Sequence, residues 1–269
     1  MTPRPLDPFL RNYVIVNPMP TQLIFPLDFP ELREAIKYVG LLKNHVSIFK
    51  IGLELFIGNG PEAVRGVLDA GGKGIFLDLK LHDIPETVRR ALQAPVIRDV
   101  EFITVHSSDG PDILSAAVKS VSYKTKVLAV TVLTSLGETE LKKTLLLRDD
   151  ITMKELVIHR AEMAQAAGCA GIVCSGLEIA DIRKRLGKGF IIVTPGVRPR
   201  WSLIPGDDQR RVVTPHDAAV MGADYIVVGR PIRNAKDPAE AAQKILSEIE
   251  STDAELTLKN VQMQGRTRI

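Results

Sequence analysis

Cysteine is scarce in this chain: of 269 residues only Cys169 and Cys174 are cysteines, separated by Ala170-Gly171-Ile172-Val173. Two thiols embedded in apolar sequence exclude a disulfide scaffold and a zinc site, and both read as core residues. No uninterrupted apolar run reaches the roughly 18 residues of a membrane-spanning helix, and the N-terminus lacks the compact apolar core of a signal peptide. The expected location is therefore cytoplasmic, with no membrane partner. Lysine and arginine form no long run and the formal net charge is only +3, so the electrostatic footprint of a nucleic-acid-binding protein is missing. An anionic small molecule is compatible with that balance. No glycine-rich dinucleotide fingerprint follows the first apolar segment.

What the chain does have is a repeated alternation. Apolar segments that read as strands fall at Leu23–Leu27, Ser47–Ile51, Gly74–Lys80, Phe102–His106, Val127–Val132, Gly171–Ser175, Phe190–Thr194 and Tyr225–Val228. Between and after them, apolar residues recur at helical spacing over Glu31–Leu42, Pro61–Ala70, Pro85–Ala94, Pro111–Lys119, Met153–Ala167, Leu177–Leu186, Thr214–Met221 and Pro238–Glu250. Proline opens several of these helices, the position its missing N–H tolerates. Eight strand-helix units fit a closed (β/α)8 TIM barrel, an α/β single domain, better than an open sheet. The barrel is assigned to residues 21–250, with an aperiodic N-terminal extension over 1–20 and a polar C-terminal tail over 251–269. One long connection, Pro195 to Val213, holds Gly196, Pro199, Pro205, Gly206 and four arginines, the composition of a lid.

The third strand carries the densest chemistry: Ile75-Phe76-Leu77-Asp78-Leu79-Lys80-Leu81-His82-Asp83-Ile84-Pro85. Strand alternation puts Asp78 and Lys80 on one face and the leucines on the other, so an ammonium lies beside a carboxylate. Alone, this pattern is also that of a half-exposed strand with solvated charges. Inside a covered parallel barrel, charges facing inward need a function. If Lys50, Asp78, Lys80 and Asp83 cluster, a carboxylate about 4 Å from an ammonium contributes roughly 4 kcal/mol at an effective dielectric of 20, before desolvation. That favours Lys80 as a charged proton donor and argues against a Schiff-base aldolase, whose lysine must lose its proton.

Barrel enzymes place their reacting groups at the C-terminal ends of the strands. Here those ends present Asp28, Lys50, Asp78 with Lys80, His106, Thr134, Arg198 and Gly229-Arg230. The last pair follows strand eight, where barrels often hold a phosphate; Gly229 lets the backbone approach an anion, and the Arg230 guanidinium can hold two oxygens at once. Arg198 adds a second cation. His82 and His106 read either as partners of the charged set or as satisfied structural histidines.

From Leu23 to Ile249 these residues resemble the orotidine 5′-phosphate decarboxylase family. The carriers are Leu27-Asp28, Phe49-Lys50-Ile51-Gly52, Asp78-Leu79-Lys80-Leu81-His82-Asp83-Ile84-Pro85-Glu86-Thr87, Leu133-Thr134-Ser135, Thr194-Pro195-Gly196-Val197-Arg198-Pro199, Asp208-Gln209-Arg210-Arg211 and Val228-Gly229-Arg230-Pro231. The resemblance implies conversion of orotidine 5′-phosphate to uridine monophosphate and carbon dioxide in pyrimidine nucleotide synthesis, by a homodimer with shared active sites and with no metal or organic cofactor. It implies that Lys80 stabilises the carbanion at C6 of the pyrimidine and delivers its proton. Asp78 would adjoin the departing carboxylate, and Asp83 with Thr87 would enter from the other subunit. Asp28 and Lys50 would bind ribose hydroxyls, Thr134 the pyrimidine, Gln209 both base and phosphate, and Arg198, Gly229 and Arg230 the phosphate.

Two departures stand out: Pro26 inside the first strand, and Ser107-Ser108-Asp109-Gly110 after His106. The pattern Asp-x-Lys-x-x-Asp alone is shared with magnesium-dependent decarboxylases and aldolases of sugar phosphates, which sensitivity to chelators would reveal. A non-catalytic nucleotide-binding barrel would bind uridine monophosphate without turnover.

Overall fold

Eight short parallel strands close on themselves in chain order. In the computed structural model, which describes residues 20–202 and 212–251, these are β1 Gln22–Pro26, β2 Ile48–Gly52, β3 Ile75–Leu81, β4 Phe102–His106, β5 Lys126–Val130, β6 Gly171–Val173, β7 Ile191–Thr194 and β8 Tyr225–Val227. Each pairs with the next, and β8 returns to β1 through Gln22 opposite Tyr225 and Ile24 opposite Val227. The described helices are α1 Leu32–Leu42, α2 Leu53–Asn59, α3 Glu62–Asp69, α4 Pro85–Leu92, α5 Pro111–Ser120, α6 Glu138–Leu145, α7 Met153–Ala166, α8 Ile179–Leu186, α9 Pro215–Met221, α10 Arg230–Arg233 and α11 over 238–251. The expected (β/α)8 barrel is therefore the observed one.

The sequence makes each layer for a physical reason. Residues on one side of the strands form an inner core of Ile24, Ile48, Phe76, Phe102, Leu128, Val130, Val173, Val193 and Val227. The alternate side chains, such as Leu23, Phe25, Phe49, Ile51, Ile103 and Val105, join the helices in a larger outer core. Proline occupies the first turn of α4, α5, α9 and α10, and Thr152 with Glu155 forms a reciprocal capping box at the start of α7. None of the described helices is long and apolar enough to cross a membrane.

Three helices escape the periodicity. The α2 sequence Leu-Glu-Leu-Phe-Ile-Gly-Asn follows β2 with no turn residue between them, α6 buries only Leu141, and α10 has four residues.

Buried polar groups lock the barrel at specific points. Arg183 of α8, 3% exposed, donates to the carbonyls of Gly222, Gly187 and Phe190 and to Asp224 Oδ2 at 2.6–3.1 Å. Gly171 opens β6 where a Cβ would lie 2.2 Å from the Ile191 carbonyl oxygen, so no larger residue fits between β6 and β7. Neither cysteine lies in a disulfide among the described residues and both are buried, and burial pushes the Cys169 thiol up to about 12.

The third strand departs from regular geometry where the chemistry begins. Pairing with β4 runs Phe76 to Phe102 and Leu77 to Ile103, then resumes at Leu81 to Val105. Thus β3 takes four steps where β4 takes two, a bulge of the kind that re-aims side chains. Within it Lys80 adopts φ +50°, the left-handed region that a side chain disfavours.

Candidate active site

A cavity of about 490 Å³ opens at the C-terminal ends of the strands, within the size range of small-molecule sites. Its floor is the top of the inner core, Phe76, Val130, Val173 and Val227. Around the wall stand Asp28, Lys50, Asp78, Lys80, Thr134, Arg198, Gly229 and Arg230, all singled out from the sequence, together with Arg233, which was not. Arg233 escapes notice because its helix is one turn long; its Nη1 donates to the Asp28 carbonyl at 3.0 Å and its guanidinium lies 5.9 Å from the Phe29 ring centroid.

One wall of the cavity alternates in charge. Lys50 Nζ lies 3.3 Å from Asp28 Oδ1 and 3.6 Å from Asp78 Oδ2, and Lys80 Nζ lies 2.8 Å from the same Asp78 oxygen. Gly52 leaves room for this chain, since a Cβ there would meet Lys50 Nζ at 3.1 Å. The other Asp78 oxygen accepts from Thr104 Oγ1 at 3.0 Å. Burial pushes the Asp78 carboxyl up, but the Lys50 and Lys80 ammonium groups and hydrogen bonds from Lys80 and Thr104 outweigh it, holding the group below the usual carboxylate range. The irregular stretch of β3 between Leu77 and Leu81 contains both Asp78 and Lys80.

The wall built from β7 and β8 carries cations. Arg198, 5% exposed, follows β7, and its backbone N–H donates to the Val213 carbonyl at 2.9 Å, tying the two described ends of the long connection together. Gly229 and Arg230 lead into α10. The proline in β1 explains part of this corner: a Cβ on residue 229 would sit 2.8 Å from Pro26 Cγ, so Pro26 makes glycine necessary there. Between the two walls, Val132, Leu133 and Thr134 supply a mixed apolar and polar surface.

Two expected residues lie elsewhere. Asp83 and Thr87 are exposed on the segment that follows β3 and do not line the cavity; Asp83 Oδ1 accepts from the Ile84 N–H at 2.7 Å. Gln209, with Asp208, Arg210 and Arg211, lies outside the described residues. His82 and His106 are also outside the cavity: His82 Nε2 is 3.2 Å from Asp109 Oδ1, and His106 Nδ1 is 2.7 Å from Ser108 Oγ. Burial, then the nearby Arg160 guanidinium, hold His106 below its ordinary value. Both histidines thus have local partners supplied by the divergent Ser108-Asp109 segment.

A barrel whose strand ends set a lysine-carboxylate chain against a patch of arginines has the charged groups of a barrel enzyme at the face where such enzymes carry their active sites. Residues 21–245 match the model of the Orotidine 5'-phosphate decarboxylase / HUMPS family, and the chain belongs to that family. It is 49% identical over 230 residues to the orotidine 5'-phosphate decarboxylase of Desulfosudis oleivorans, covering 85% of this chain and 92% of that one. The corresponding enzyme of Methylococcus capsulatus is 45% identical over 240 residues, covering 88% and 96%. Among solved structures, orotidine 5'-phosphate decarboxylase from Lactobacillus acidophilus superposes with a TM-score of 0.73 at 33% identity, covering 85% of this chain and 99% of that one.

Proposed function

We propose that this protein, through its barrel of residues 21–250, converts orotidine 5′-phosphate to uridine monophosphate and carbon dioxide. The observation that carries the reading is the placement of Lys80 Nζ, 2.8 Å from Asp78, in one cavity with Arg198 and Arg230. The arginines receive the phosphate, Asp28 and Lys50 the ribose hydroxyls, and Thr134 the pyrimidine edge, with Gln209 bridging base and phosphate. This sets the C6 carboxylate against the Asp78–Lys80 pair. The C6–carboxylate bond breaks, its electrons stay on C6 and carbon dioxide departs. The Lys80 ammonium stabilises that developing charge and transfers a proton to C6, and the lysine regains its proton from water. A preorganised cation at a site of developing negative charge lowers the barrier without reorganisation. The phosphate contacts are remote from the breaking bond, so their binding energy can be spent on assembling the charged site.

A second copy of the chain completes the site in this reading. Asp83 and Thr87 sit on an exposed segment beside Ile84, which is 67% exposed, and are directed to a neighbour's cavity in a homodimer. Mixing Asp83→Asn and Lys80→Ala proteins then regenerates one intact site per hybrid dimer, so activity rises above that of either variant.

The decisive assay mixes purified protein with orotidine 5′-phosphate in excess EDTA and follows loss of orotate absorbance and appearance of uridine monophosphate. Rapid conversion is expected, and Lys80→Ala abolishes it while uridine monophosphate still binds. Activity that requires added magnesium, or binding without turnover in the unmodified protein, would overturn the assignment.

A further inference from the structure

The bulge in β3 poses a structural problem that one side chain on the neighbouring strand solves. Between Leu77 and Leu81 the β3–β4 ladder is interrupted, and inside the interruption Lys80 holds the disfavoured φ of +50°. A non-glycine residue in that region is retained only where its surroundings over-determine it. Its amide also loses the ladder partner that a regular strand would supply.

Thr104 sits opposite the gap, between Ile103 and Val105, the β4 residues whose pairing flanks it. It is 0% exposed. The Lys80 N–H donates to Thr104 Oγ1 at 2.8 Å, and because an amide can only donate, the hydroxyl must accept there. Its own proton is then free for Asp78, whose Oδ1 accepts it at 3.0 Å. One buried hydroxyl therefore fixes the backbone of one charged residue and the carboxylate of the other. With Thr104 on Oδ1 and with Lys80 and Lys50 on Oδ2, neither Asp78 oxygen can turn away.

We propose that Thr104 is a positioning residue for decarboxylation: its hydroxyl sets the Lys80 backbone and the Asp78 carboxylate together, so that ammonium and carboxylate meet the reacting carbon in fixed register. Resting on the roles given above to Lys80 and Asp78, it adds a residue that touches no substrate. Thr104 does not line the cavity, so its loss acts on the chemical step rather than on binding. The phosphate contacts come from Arg198 and Arg230 on the wall built from β7 and β8, and the ribose contacts from Asp28 and from Lys50, whose ammonium also meets Asp78.

The test compares Thr104→Val, which keeps the shape and removes the hydroxyl, with Thr104→Ser, which keeps the hydroxyl. Steady-state kinetics on orotidine 5′-phosphate are measured for folded protein verified by circular dichroism. Thr104→Val is expected to lower kcat about tenfold to a hundredfold, the cost of a small misplacement of reacting groups, with KM changed less than about threefold; Thr104→Ser returns kcat to within about threefold of the unmodified enzyme. If Thr104→Val does not fold, Thr104→Cys, similar in size but a weaker donor, carries the same expectation as Val.

An unmodified kcat in the hydroxyl-free variant overturns the proposal. So does a loss confined to KM, or a serine variant as slow as valine. Lys80→Ala assayed alongside separates the two readings. If Lys80→Ala is inactive while Thr104→Val is unimpaired, only the positioning role falls; if Lys80→Ala turns over normally, the role of Lys80 falls and that of Thr104 with it.

Discussion

Replacing Asp78 with asparagine removes the negative charge from the centre of the site with almost no change in shape. Asp78 meets Lys80 at 2.8 Å and Lys50 at 3.6 Å, so at an effective dielectric of about 20 the gross attractions are roughly 6 and 5 kcal/mol. Most of that is offset by desolvation of a carboxylate whose side chain is only 11% exposed. The better guide is the cost of breaking a buried pair from one side, about 3–5 kcal/mol, because the remaining charge is left uncompensated. Lys80 is one-third exposed at 33% and recovers part of its hydration, and asparagine still accepts from Thr104. A net loss of roughly 2–3 kcal/mol at neutral pH follows, which for a chain of this size lowers Tm by about 5–10 °C. Calorimetry of both proteins in low salt, with activity measured in parallel, is the assay. Added salt should recover part of the loss by screening Lys50 from Lys80. An Asp78→Asn protein as stable as the original, or more stable, would refute the view that Asp78 holds two cations in place.

Three further outcomes follow. Because the folded Asp78 carboxyl lies below its ordinary value, the unfolded chain takes up the proton first as pH falls; the stability it confers is complete above about pH 4 and is lost as pH drops through the folded value. The Tm difference between the two proteins should therefore hold above about pH 4 and narrow as pH falls below it, and a constant gap would contradict the sign. Arg183→Lys exchanges a fork serving four partners for at most three donors and should cost about 2–4 kcal/mol in urea unfolding while leaving the kcat of the folded protein unchanged. Gly171→Ala drives a methyl toward the Ile191 carbonyl, forcing β6 and β7 apart; a loss of about 3 kcal/mol or more, visible as low soluble yield or Tm, is expected.

The barrel was legible in the sequence because its strands are buried on both faces and read as short apolar runs, while each helix repeats its apolar residues with its own period. All eight strands fall within two residues of where the apolar runs put them. The α2 helix was hidden because Leu53, Leu55, Phe56 and Ile57 extend the apolar run of β2. The candidate site was readable for the residues whose charge betrays them at strand ends, such as Asp28, Lys50, Asp78 and Lys80. Thr104 and Arg233 were not, for opposite reasons: a threonine in a strand is indistinguishable from one that merely packs, and an arginine after a short turn is indistinguishable from one in solvent. The bulge is likewise silent, since Leu-Asp-Leu-Lys-Leu alternates perfectly while the backbone beneath it does not.

The plug of Phe76, Val130, Val173 and Val227 has a consequence for traffic. Because these side chains belong both to the inner core and to the cavity floor, the cup is closed toward the barrel interior, and among the described residues its mouth lies at the strand ends. In the proposed reaction both products leave through the entrance the nucleotide used. Carbon dioxide, small and uncharged, can slip past a nucleotide still held by the arginines, whereas uridine monophosphate must let go of its phosphate contacts first. The order of departure is then set by the architecture of the cup.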